Sequence, residues 1–508
     1  MQKTVFEPSS SSRQSAGKKR HFFRAVIPVF ILIFLLGGCF KVGPDYVPVK
    51  PDAPKAWHTT LQEGLASSPI APQTLSQWWK VLDDPQLESL EKRAVQGNLE
   101  LVKARSRIRE ARALWGVSRS QLFPSIDAGG SFNEHRSSEN NGFGHEDRLY
   151  AVGLDAGWEI DVFGGRRRAL EAAGAEVESS EENLHDVLVS LLAEVALNYI
   201  EARTYQARLA AAEANIATQQ ETYDLNLSLY RAGLIDKLAL EQSHFSLEHT
   251  RSRIPSLQIG LEAAKNRLAL LLGRQPGALH PEMAETKPVP AIPLSVAVGI
   301  PAETLRHRPD IRRAERQLAA ATARIGEATA DLYPKFHLVG SIGLESVAYG
   351  DLWQWASRSW NFGPGFSWNI FDAGAIRRNI EVQNARQEQA LVTYESTVLK
   401  ALEEVENSLV AYAKELQRRE ALNRAAAAAE EAVQLARDQY QSGLVDFNNV
   451  LVSQLALLSL QDEQAQSRGA AVANLVRLYK ALGGGWTFHV PAAPTGGEPV
   501  SGKTGKGV

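Results

Sequence analysis

The chain has 508 residues, of which 44% are hydrophobic and 22% charged, which suffices for one large or several ordinary domains. Its formal net charge at pH 7 is -3, so no basic excess indicates nucleic acid or another polyanion as a partner. Composition therefore predicts a folded protein without selecting its fold.

The first 38 residues have the pattern of a lipoprotein signal peptide. Basic residues at positions 18, 19, 20 and 24 precede an apolar segment over 25–36, which is shorter than the about 20 apolar residues that a spanning helix needs. The sequence Leu36-Gly37-Gly38-Cys39 resembles the bacterial lipobox, so we expect cleavage before Cys39 and covalent attachment of diacylglycerol and an N-acyl chain. Because Cys39 is the only cysteine, an internal disulfide is excluded; the alternative is an incidental thiol after a membrane anchor.

An internal repeat organises the rest of the chain. Residues of the same type recur at a constant offset of 210 positions. Pro124, for example, recurs as Pro334, and 334 minus 124 is 210. Such self-similarity predicts a tandem duplication over 85–273 and 308–483, flanked by an N-terminal segment over 39–84, a Pro-rich linker over 274–307 and a tail over 484–508 that we expect to be disordered. The recurring pairs include Trp158 and Trp368, Gly164 and Gly374, Tyr230 and Tyr440, Gly233 and Gly443, and Asp236 and Asp446.

Each repeat contains the pattern of two β-strands. In Tyr150–Asp161 and Trp360–Ile370, apolar residues alternate with small or polar ones, although Pro364 is awkward within a paired strand. Strands of about 10 residues with this pattern suit a tilted transmembrane β-barrel, apolar towards lipid and polar towards the lumen. An antiparallel sheet over a soluble core is the alternative.

The segments between the paired strands predict exposed loops. Glu134–Arg148 is polar and lacks an apolar period. Asp351–Ser359 carries Trp353 and Trp355, which could join an aromatic girdle at the membrane interface or cap the rim of the barrel.

Between these strands and the linker, the apolar spacing of three and four residues predicts long helices. The segment from Arg166 to Arg231 lacks proline and would form a helix of roughly 100 Å. Shorter helices are expected from Pro85 to near Gln121 and from Asp236 to near Leu272. The second repeat predicts helices over Pro309–Asp331, Ala375–Gln441 and Asp446–Leu482. Helix periodicity alone leaves open a solitary coiled coil or helical bundle.

Four strands per chain have a consequence for assembly. Bacterial membrane barrels start at about 8 strands, and an open edge in hydrocarbon leaves backbone groups unsatisfied. Closure therefore requires other copies of the chain, whose number the strand pattern does not fix.

Several motifs together resemble one family, the TolC-like outer-membrane efflux proteins, in the NodT and OprM lipoprotein branch that serves resistance-nodulation-division (RND) pumps. The resemblance extends from about Cys39 to Gly485. It is carried by Val42-Gly43-Pro44-Asp45-Tyr46, Trp78-Trp79, Asp84-Pro85, Arg308-Pro309-Asp310-Ile311-Arg312-Arg313-Ala314-Glu315, Ile325-Gly326-Glu327-Ala328, Tyr333-Pro334, Phe362-Gly363-Pro364 and Phe371-Asp372-Ala373-Gly374.

The resemblance implies a mainly α fold with a transmembrane β part. Three protomers would form a twelve-stranded β-barrel, four strands each, continuous with a long α-helical periplasmic barrel, and the segments over 39–84 and 274–307 would form an equatorial belt. Phe40 after the lipidated cysteine implies sorting to the outer membrane, where the protein would be lipid-anchored and extend into the periplasm.

The implied function is a passive duct for drugs or other small toxic compounds. Its partners would be two further copies in a homotrimer, a periplasmic adaptor protein, an inner-membrane RND transporter and outer-membrane lipid, and no cofactor is expected beyond the lipid on Cys39. The alternatives are the duct of a type I protein secretion system and a lipid-tethered helical scaffold without a channel.

The sequence gives little support to an enzyme. The eleven histidines lack metal-ligand spacing, and no nucleophile elbow, P-loop or zincin motif is present. Asp155, Glu159 and Asp161 are better explained as lumen-facing carboxylates than as a metal site.

The candidate site residues lie at the far ends of the longest helices. Each turn contains a glycine suited to a left-handed C-cap and an aspartate suited to cap the next helix, so local capping is the alternative to a role in docking. The residues assigned to the periplasmic tips and the adaptor are Tyr230, Gly233, Leu234, Asp236, Tyr440, Gly443, Leu444 and Asp446. Asn449 and Val452 occupy positions where relatives often have gating aspartates, so a ring of Val452 would form an apolar constriction that gates by dewetting.

Overall fold

The computed structural model describes residues 41–50, 53–142 and 144–486. The signal peptide, Cys39 and the tail from residue 487 onward lie outside these residues. The described chain divides into a unit that contains residues 41–47, 113–175 and 319–389 and a unit that contains 48–112, 176–318 and 390–486, and each is described by itself below.

The first unit is built around a four-stranded antiparallel sheet. Its strands are β2 (Ser125–Arg136), β3 (Glu146–Ile160), β5 (Lys335–Ser346) and β6 (Arg358–Ser367), in the order β2-β3-β5-β6. The hairpin β2–β3 belongs to the first repeat and β5–β6 to the second, and the pairing of β3 with β5 joins the repeats. The two hairpins predicted from the duplication are thereby confirmed.

The sheet has one apolar and one polar face, as the alternation predicts. One row across the sheet consists of Ala128, Leu154, Ile342 and Trp360, and the adjacent row on the opposite face consists of Asp127, Asp155, Ser341 and Asn361. Leu154, Ile342 and Trp360 are exposed although they lie in the middle of strands. A continuous exposed apolar face indicates contact with lipid rather than with a soluble core.

The predicted loop over Glu134–Arg148 was wrong in its extent, because both strands continue into it. Glu134 lies opposite Arg148 and accepts a hydrogen bond from its Nε at 2.7 Å, and Arg136 lies opposite Glu146 with their charged groups 3.5 Å apart. These cross-strand pairs let charged residues continue the ladder. Only the segment over 137–145 connects the strands, and it contains a short helix, α4 (Glu139–Gly142).

The second hairpin differs from its prediction only at the ends of β6, which begins at Arg358, inside the loop predicted over Asp351–Ser359, and ends before Ile370. Pro364 lies within β6, which is an edge strand, so proline is tolerated there. The strand ends at Ser367, so Trp368 to Ile370 lie beyond it. The loop between β5 and β6 forms two 3₁₀ turns, Tyr349–Asp351 and Trp355–Ser357, in which Trp353 and Trp355 are exposed.

The helices that flank the sheet and form the second unit follow the repeat. They are α1 (Pro72–Ser76), α2 (Pro85–Gly97), α3 (Leu99–Ser120), α5 (Gly165–Arg231), α6 (Lys237–Leu271), α7 (Pro301–His307), α8 (Pro309–Ala330), α9 (Ala375–Gln441) and α10 (Phe447–Ala481), with a 3₁₀ helix at Trp78–Leu82. The long helices α5 and α9 have 67 residues each, and α6 and α10 have 35 each, with bounds offset by 210. Within the described residues, none of the helices is long and apolar enough to cross a membrane.

The single helix predicted from Pro85 to Gln121 was wrong, because the chain breaks at Asn98 between α2 and α3. The Asn98 side chain donates to the carbonyl of Leu271 at 2.9 Å and accepts from the backbone N–H groups of Glu100 and Leu101. It thereby caps α3 and binds the end of α6. Arg308, 210 positions later, does the equivalent task by donating to the carbonyl of Ala481 at 2.6 Å.

The N-terminal segment and the linker meet in the helical unit. Strands β1 (Leu65–Ala66) and β4 (Val296–Ala297) pair in parallel, and Trp57 Nε1 donates to the carbonyl of Gly299 at 3.1 Å. The guanidinium of Arg203 on α5 is fully buried and donates to the carbonyl of Glu285 at 2.9 Å. These contacts tie two segments far apart in sequence to the middle of the long helices.

One buried carboxyl group stands out in this core. Glu91 on α2 is fully buried, and neither of its side-chain oxygens has a hydrogen-bond partner among the described residues. Burial raises the pKa of Glu91 well above its usual value, because it favours the neutral acid over the carboxylate in the folded protein.

The raised pKa of Glu91 makes the free energy of unfolding depend on pH. The pKa of Glu91 is higher in the folded than in the unfolded protein. Its contribution to the free energy of unfolding is therefore fully present below the unfolded-state pKa near 4.5 and is lost as the pH rises through the folded-state pKa. We expect Glu91→Gln to raise the thermal unfolding midpoint at pH 8.5 by about 2 °C and to have less effect at pH 5. Differential scanning calorimetry at both pH values would measure this.

Glu88→Gln on the same helix is the control, because Glu88 is part-exposed and paired with Lys92 at 2.7 Å. A Glu91→Gln difference of the same size at both pH values would contradict a neutral Glu91.

Candidate functional site

The two turns that end the longest helices have the same geometry. Gly233 and Gly443 adopt left-handed conformations with φ of 69° and 71°. In the first turn, Gly233 N donates to Tyr230 O and Leu234 N to Leu229 O, both at 2.9 Å, and the second turn repeats this pattern at Tyr440 and Gln439. This pair of bonds defines a Schellman C-cap, which requires the positive φ that glycine adopts without strain.

The capping aspartates differ between the turns. Asp236 Oδ1 accepts a hydrogen bond from the backbone N–H of Ala239 at 2.9 Å, as predicted. Asp446 occupies the N-cap position of α10, but its carboxylate accepts no N–H of that helix. The predicted capping bond of Asp446 was therefore wrong, because the N–H of Asn449 donates to the backbone carbonyl of Asp446 at 3.1 Å instead.

The ends of the two helical hairpins are tied together. Tyr440 packs edge-on against Phe447 at 5.4 Å between ring centroids, and its hydroxyl lies 3.3 Å from Asn226 Oδ1 on α5. Burial, together with the charge of Asp236, raises the pKa of Tyr440, so the hydroxyl stays protonated and donates. Tyr440 therefore fixes one turn relative to the other, which its position in the repeat did not reveal.

The outer surface of the turns is apolar. Leu234 and Leu444 are 71% and 75% exposed, and Tyr230 is also exposed. Exposed leucines of this kind are often contact points for another protein. The role of these residues in docking stays a prediction.

The two predicted pore residues lie on one exposed face of α10. Asn449 is exposed and Val452 is 58% exposed, and a spacing of three residues places them side by side on a helix. Their role in gating stays a prediction.

A charged cluster that the sequence did not reveal lies further along the same helices. Asp462 on α10 is bound by the Nε and Nη2 of Arg208 on α5 at 2.7 and 3.1 Å and by Arg253 on α6 at 2.8 Å. Burial opposes ionisation of Asp462, but the hydrogen bond from Arg208 and the charges of both arginines hold its pKa below the usual value. Because these residues come from three helices and are far apart in sequence, no local pattern indicates the cluster.

The segment that follows Cys39 is held in a cradle formed by the start of α5 and by α8. Arg168 on α5 is 1% exposed; its Nε and Nη2 donate to the backbone carbonyls of Val42 and Gly43 at 3.0 and 3.1 Å. Nη2 also lies 2.9 Å from the carboxylate of Asp45. Gly43 has a φ of 83° and its backbone is packed so closely on Gly326 that a side chain could not fit.

Lys41 completes the cradle. Its Nζ donates to Glu171 at 2.8 Å, and the backbone N–H of Val42 donates to Phe163 O at 3.1 Å, at the junction of β3 and α5. Burial opposes ionisation of Glu171, but hydrogen bonds from Lys41 and Arg168 outweigh it, so its pKa lies below the usual value. The motif Val42-Gly43-Pro44-Asp45 thus has a structural task that the sequence alone did not assign.

The second repeat contains the same residues without this segment. Arg378 and Glu381 stand 210 positions after Arg168 and Glu171 and form an ion pair at 2.7 Å, but the Arg378 side chain is 79% exposed. The burial of Arg168 is therefore due to the N-terminal segment and not to the repeat itself.

The row of acidic residues at the end of β3 is accounted for by local structure. Asp161 accepts hydrogen bonds from the backbone N–H groups of Arg166 and Arg167 at 3.2 and 2.9 Å, and Glu159 pairs with Arg166 at 3.0 Å. Asp161 thus helps cap α5. The part of the chain that the structure describes contains no group of His, Cys, Asp and Glu able to hold a metal ion.

Comparisons with known proteins agree on one family. The sequence profile described as "Outer membrane efflux protein" matches residues 90–274 and 300–484, which correspond to the two repeats. Nodulation protein T of Rhizobium leguminosarum bv. trifolii is 32% identical over 91% of this chain and 96% of its own length. The solvent efflux pump outer membrane protein SrpC of Pseudomonas putida is 31% identical over 91% of this chain and 98% of its own. Among solved structures, the outer-membrane channel OprN superposes with a TM-score of 0.82 at 36% identity, over 88% of this chain and 99% of that one.

The cradle predicts a specific effect of Arg168→Ala. Loss of the guanidinium removes the bonds to the carbonyls of Val42 and Gly43, so we expect amide hydrogen exchange of the peptide over residues 41–46 to become about tenfold faster. Arg378→Ala is the matched control, since it removes the exposed counterpart of the second repeat. Unchanged protection of that peptide in Arg168→Ala would show that the other contacts suffice to hold the segment.

Proposed function

The chain belongs to the outer membrane efflux protein family, and on that premise we propose that it is the outer-membrane channel subunit of a tripartite RND-type pump, through which drugs or other small toxic compounds leave the cell. The duct is passive. Energy and substrate selection come from the inner-membrane transporter, which a periplasmic adaptor connects to this protein. Its family is one of efflux proteins and not of enzymes.

The observation that carries the proposal is the sheet with an exposed apolar face and, among the described residues, no partner strand at either edge. The chain supplies four strands to it, in the order β2-β3-β5-β6. Three copies would close a barrel of 12 strands, above the about 8 at which bacterial membrane barrels begin. Closure would satisfy the edge groups that hydrocarbon leaves unpaired. A homotrimer is therefore the assembly that we propose.

The cradle supports attachment of the chain to the outer membrane through Cys39. Lys41 lies two positions after Cys39, a span of at most about 7 Å in an extended chain. Lys41 in turn contacts Gly164, just after the end of β3. A lipid on Cys39 would therefore enter the membrane beside the sheet, at the end where the strands continue into helices. The lipid anchor would therefore lie in the leaflet at that end of the sheet.

The turns at Gly233 and Gly443 support docking of the adaptor. Each presents an exposed leucine next to a rigid C-cap, and Tyr440 holds one turn to the other. Such a rigid apolar surface binds a partner at low entropic cost. We propose that it contacts an apolar helical tip of the adaptor.

The nature of the exported compounds follows from the pump rather than from this chain. SrpC, by its name, belongs to a solvent efflux pump, and we propose small toxic molecules of this general kind as the cargo.

Electron microscopy of full-length protein in mild detergent tests the assembly, and conductance across planar bilayers tests the channel. We expect threefold particles longer than about 100 Å, the length of a straight 67-residue helix. A protein that stays monomeric in mild detergent would contradict the channel. Trimers that conduct no ions even after removal of the turns would favour a scaffold.

Val452 provides a test of the gate. If three copies of Val452 form an apolar constriction, Val452→Thr keeps the shape of the side chain but replaces one methyl group by a hydroxyl group, which favours water in the constriction. We expect the single-channel conductance to rise about twofold or more. Val382→Thr near the start of α9 makes the same change at an exposed valine far from the turns and should leave conductance unchanged. Equal conductance of Val452→Thr and the parent protein would place the constriction elsewhere.

A further inference from the structure

An arginine on the apolar face of the sheet lacks a carboxylate partner among the described residues. Arg358 begins β6 and lies two positions before Trp360, so both side chains are on the same face. The side chain of Arg358 is exposed, and no carboxylate oxygen of the described residues lies within 4.0 Å of its nitrogens. Its Nε donates to the carbonyl of Trp355 at 2.7 Å. Both Nη groups therefore remain available to a ligand.

The first repeat shows how the equivalent arginine is neutralised. Arg148 stands 210 positions before Arg358 and lies opposite Glu134, whose carboxylate accepts a hydrogen bond from Arg148 Nε at 2.7 Å. The residue opposite Arg358 is Leu344, which stands 210 positions after Glu134. The same cation is thus paired across the strands of one hairpin and faces an apolar side chain in the other.

The acidic residues close to Arg358 in the hairpin have other partners. Glu345 lies on the opposite face of the sheet and accepts a hydrogen bond from Ser359 Oγ at 3.0 Å. Asp351 Oδ1 accepts from Gln354 Nε2 at 2.7 Å. Arginine is not deprotonated in proteins, so the positive charge persists at any pH at which the protein is folded. A counter-charge for Arg358 must therefore come from outside the described part of the chain.

The position of Arg358 along the strand corresponds to a membrane boundary. The hairpin runs from the pair Lys335 and Ser367, next to the helices, to the pair Leu344 and Arg358, and 344 minus 335 gives nine steps. Nine steps of about 3.4 Å make about 31 Å along the strand, and a tilt of about 40° reduces this to about 24 Å across the membrane. The apolar band of membrane barrels is about 25 Å tall. Arg358 would therefore lie where hydrocarbon ends and lipid phosphate groups begin.

Aromatic side chains are concentrated at this end of the apolar face. The guanidinium carbon of Arg358 lies 3.2 Å from the ring centroid of Trp355, which is 76% exposed. One step further along the same face, Tyr150 packs against Phe132 and Tyr349, with ring centroids 4.7 and 5.7 Å apart. Amphipathic aromatic rings favour the membrane interface. A ring stacked on one face of a guanidinium leaves the Nη groups at its edge available for bidentate contact.

We propose that Arg358, with Trp355 stacked on it, binds the phosphate group of a lipid in the leaflet remote from the helices. Arginine binds phosphate through two parallel hydrogen bonds, and its two Nη groups supply the donors. The acyl chains lie along the apolar face, on Leu344 and Trp360. This inference rests on the proposed membrane channel and adds a lipid site to it. It also assigns Trp355 to the membrane interface, one of the two roles that its sequence left open.

Native mass spectrometry of full-length protein in an uncharged detergent counts the lipids bound to each oligomer. The probe is dioleoyl phosphatidic acid. Dioleoylglycerol, which has the same chains without the phosphate, is the control lipid, and an excess of inorganic phosphate tests whether the free anion competes. We expect one tightly bound phosphatidic acid per copy, no tight binding of dioleoylglycerol and no displacement by inorganic phosphate.

Four variants separate the charge at Arg358 from other effects. Arg358→Gln should weaken binding of phosphatidic acid about tenfold, because charge-assisted hydrogen bonds to phosphate are lost. Arg148→Gln, its counterpart already paired with Glu134, should change binding less than about twofold. Leu344→Glu places a carboxylate opposite Arg358, as in the first repeat, and should weaken binding as much as Arg358→Gln does. Leu344→Gln has a similar size without the charge and should bind like the parent protein.

Three results would overturn the site and leave the channel standing, because the oligomer is read from the same spectra. The first is parent-like binding by Arg358→Gln or Leu344→Glu. The second is binding of dioleoylglycerol as tight as that of phosphatidic acid, which would show a purely apolar surface. The third is displacement of the lipid by inorganic phosphate, which would show that the guanidinium takes the free anion. Monomers in the spectra of the parent protein would instead overturn the proposed channel together with the site.

Discussion

The assembly of this protein depends on the backbone hydrogen-bonding groups at the two edges of its four-stranded sheet. In the part of the chain that the structure describes, strands β2 and β6 each have one edge without a partner strand, and the apolar face between them is exposed. In water such edges can be solvated, but in hydrocarbon each unsatisfied group costs several kcal/mol. A sheet of four strands therefore cannot close a membrane barrel by itself. In lipid, the sheet therefore requires other copies of the chain to pair its edge strands.

The duplication supplies the four strands of this sheet as two hairpins, one from each repeat. The two repeats differ where the N-terminal segment packs against only one of them. Arg168 and Arg378 occupy the same position in the repeat, yet one is buried under Val42 and Gly43 and the other is exposed. The same divergence appears at Asn98 and Arg308, which bind equivalent helix ends through different chemistry. The two repeats thus share one arrangement of strands and helices and differ in the contacts that individual residues make.

Buried polar groups connect the long helices where hydrophobic packing alone would permit sliding. Asp462 with Arg208 and Arg253 joins three helices, and Arg203 binds the linker carbonyl of Glu285. Paired charges of this kind add little net stability, but breaking one partner is costly. They therefore fix the helices in one arrangement. Tyr440 serves the same purpose at the turns, where a partner must find a surface of constant shape.

The repeat, the strand alternation, the bounds of the long helices to within one or two residues and the glycines of the turns could all be predicted from the sequence alone. These features depend on local spacing, and a constant offset of 210 makes them visible. Four features became apparent only in the folded chain: Asn98 breaks a helix, Glu134 and Arg148 extend a hairpin, Asp446 does not cap through its side chain, and Arg168 holds the N-terminal segment. Each of these features depends on a contact between groups that the folded chain brings together. Neither the residue types nor their spacing in the sequence predicts which groups are in contact.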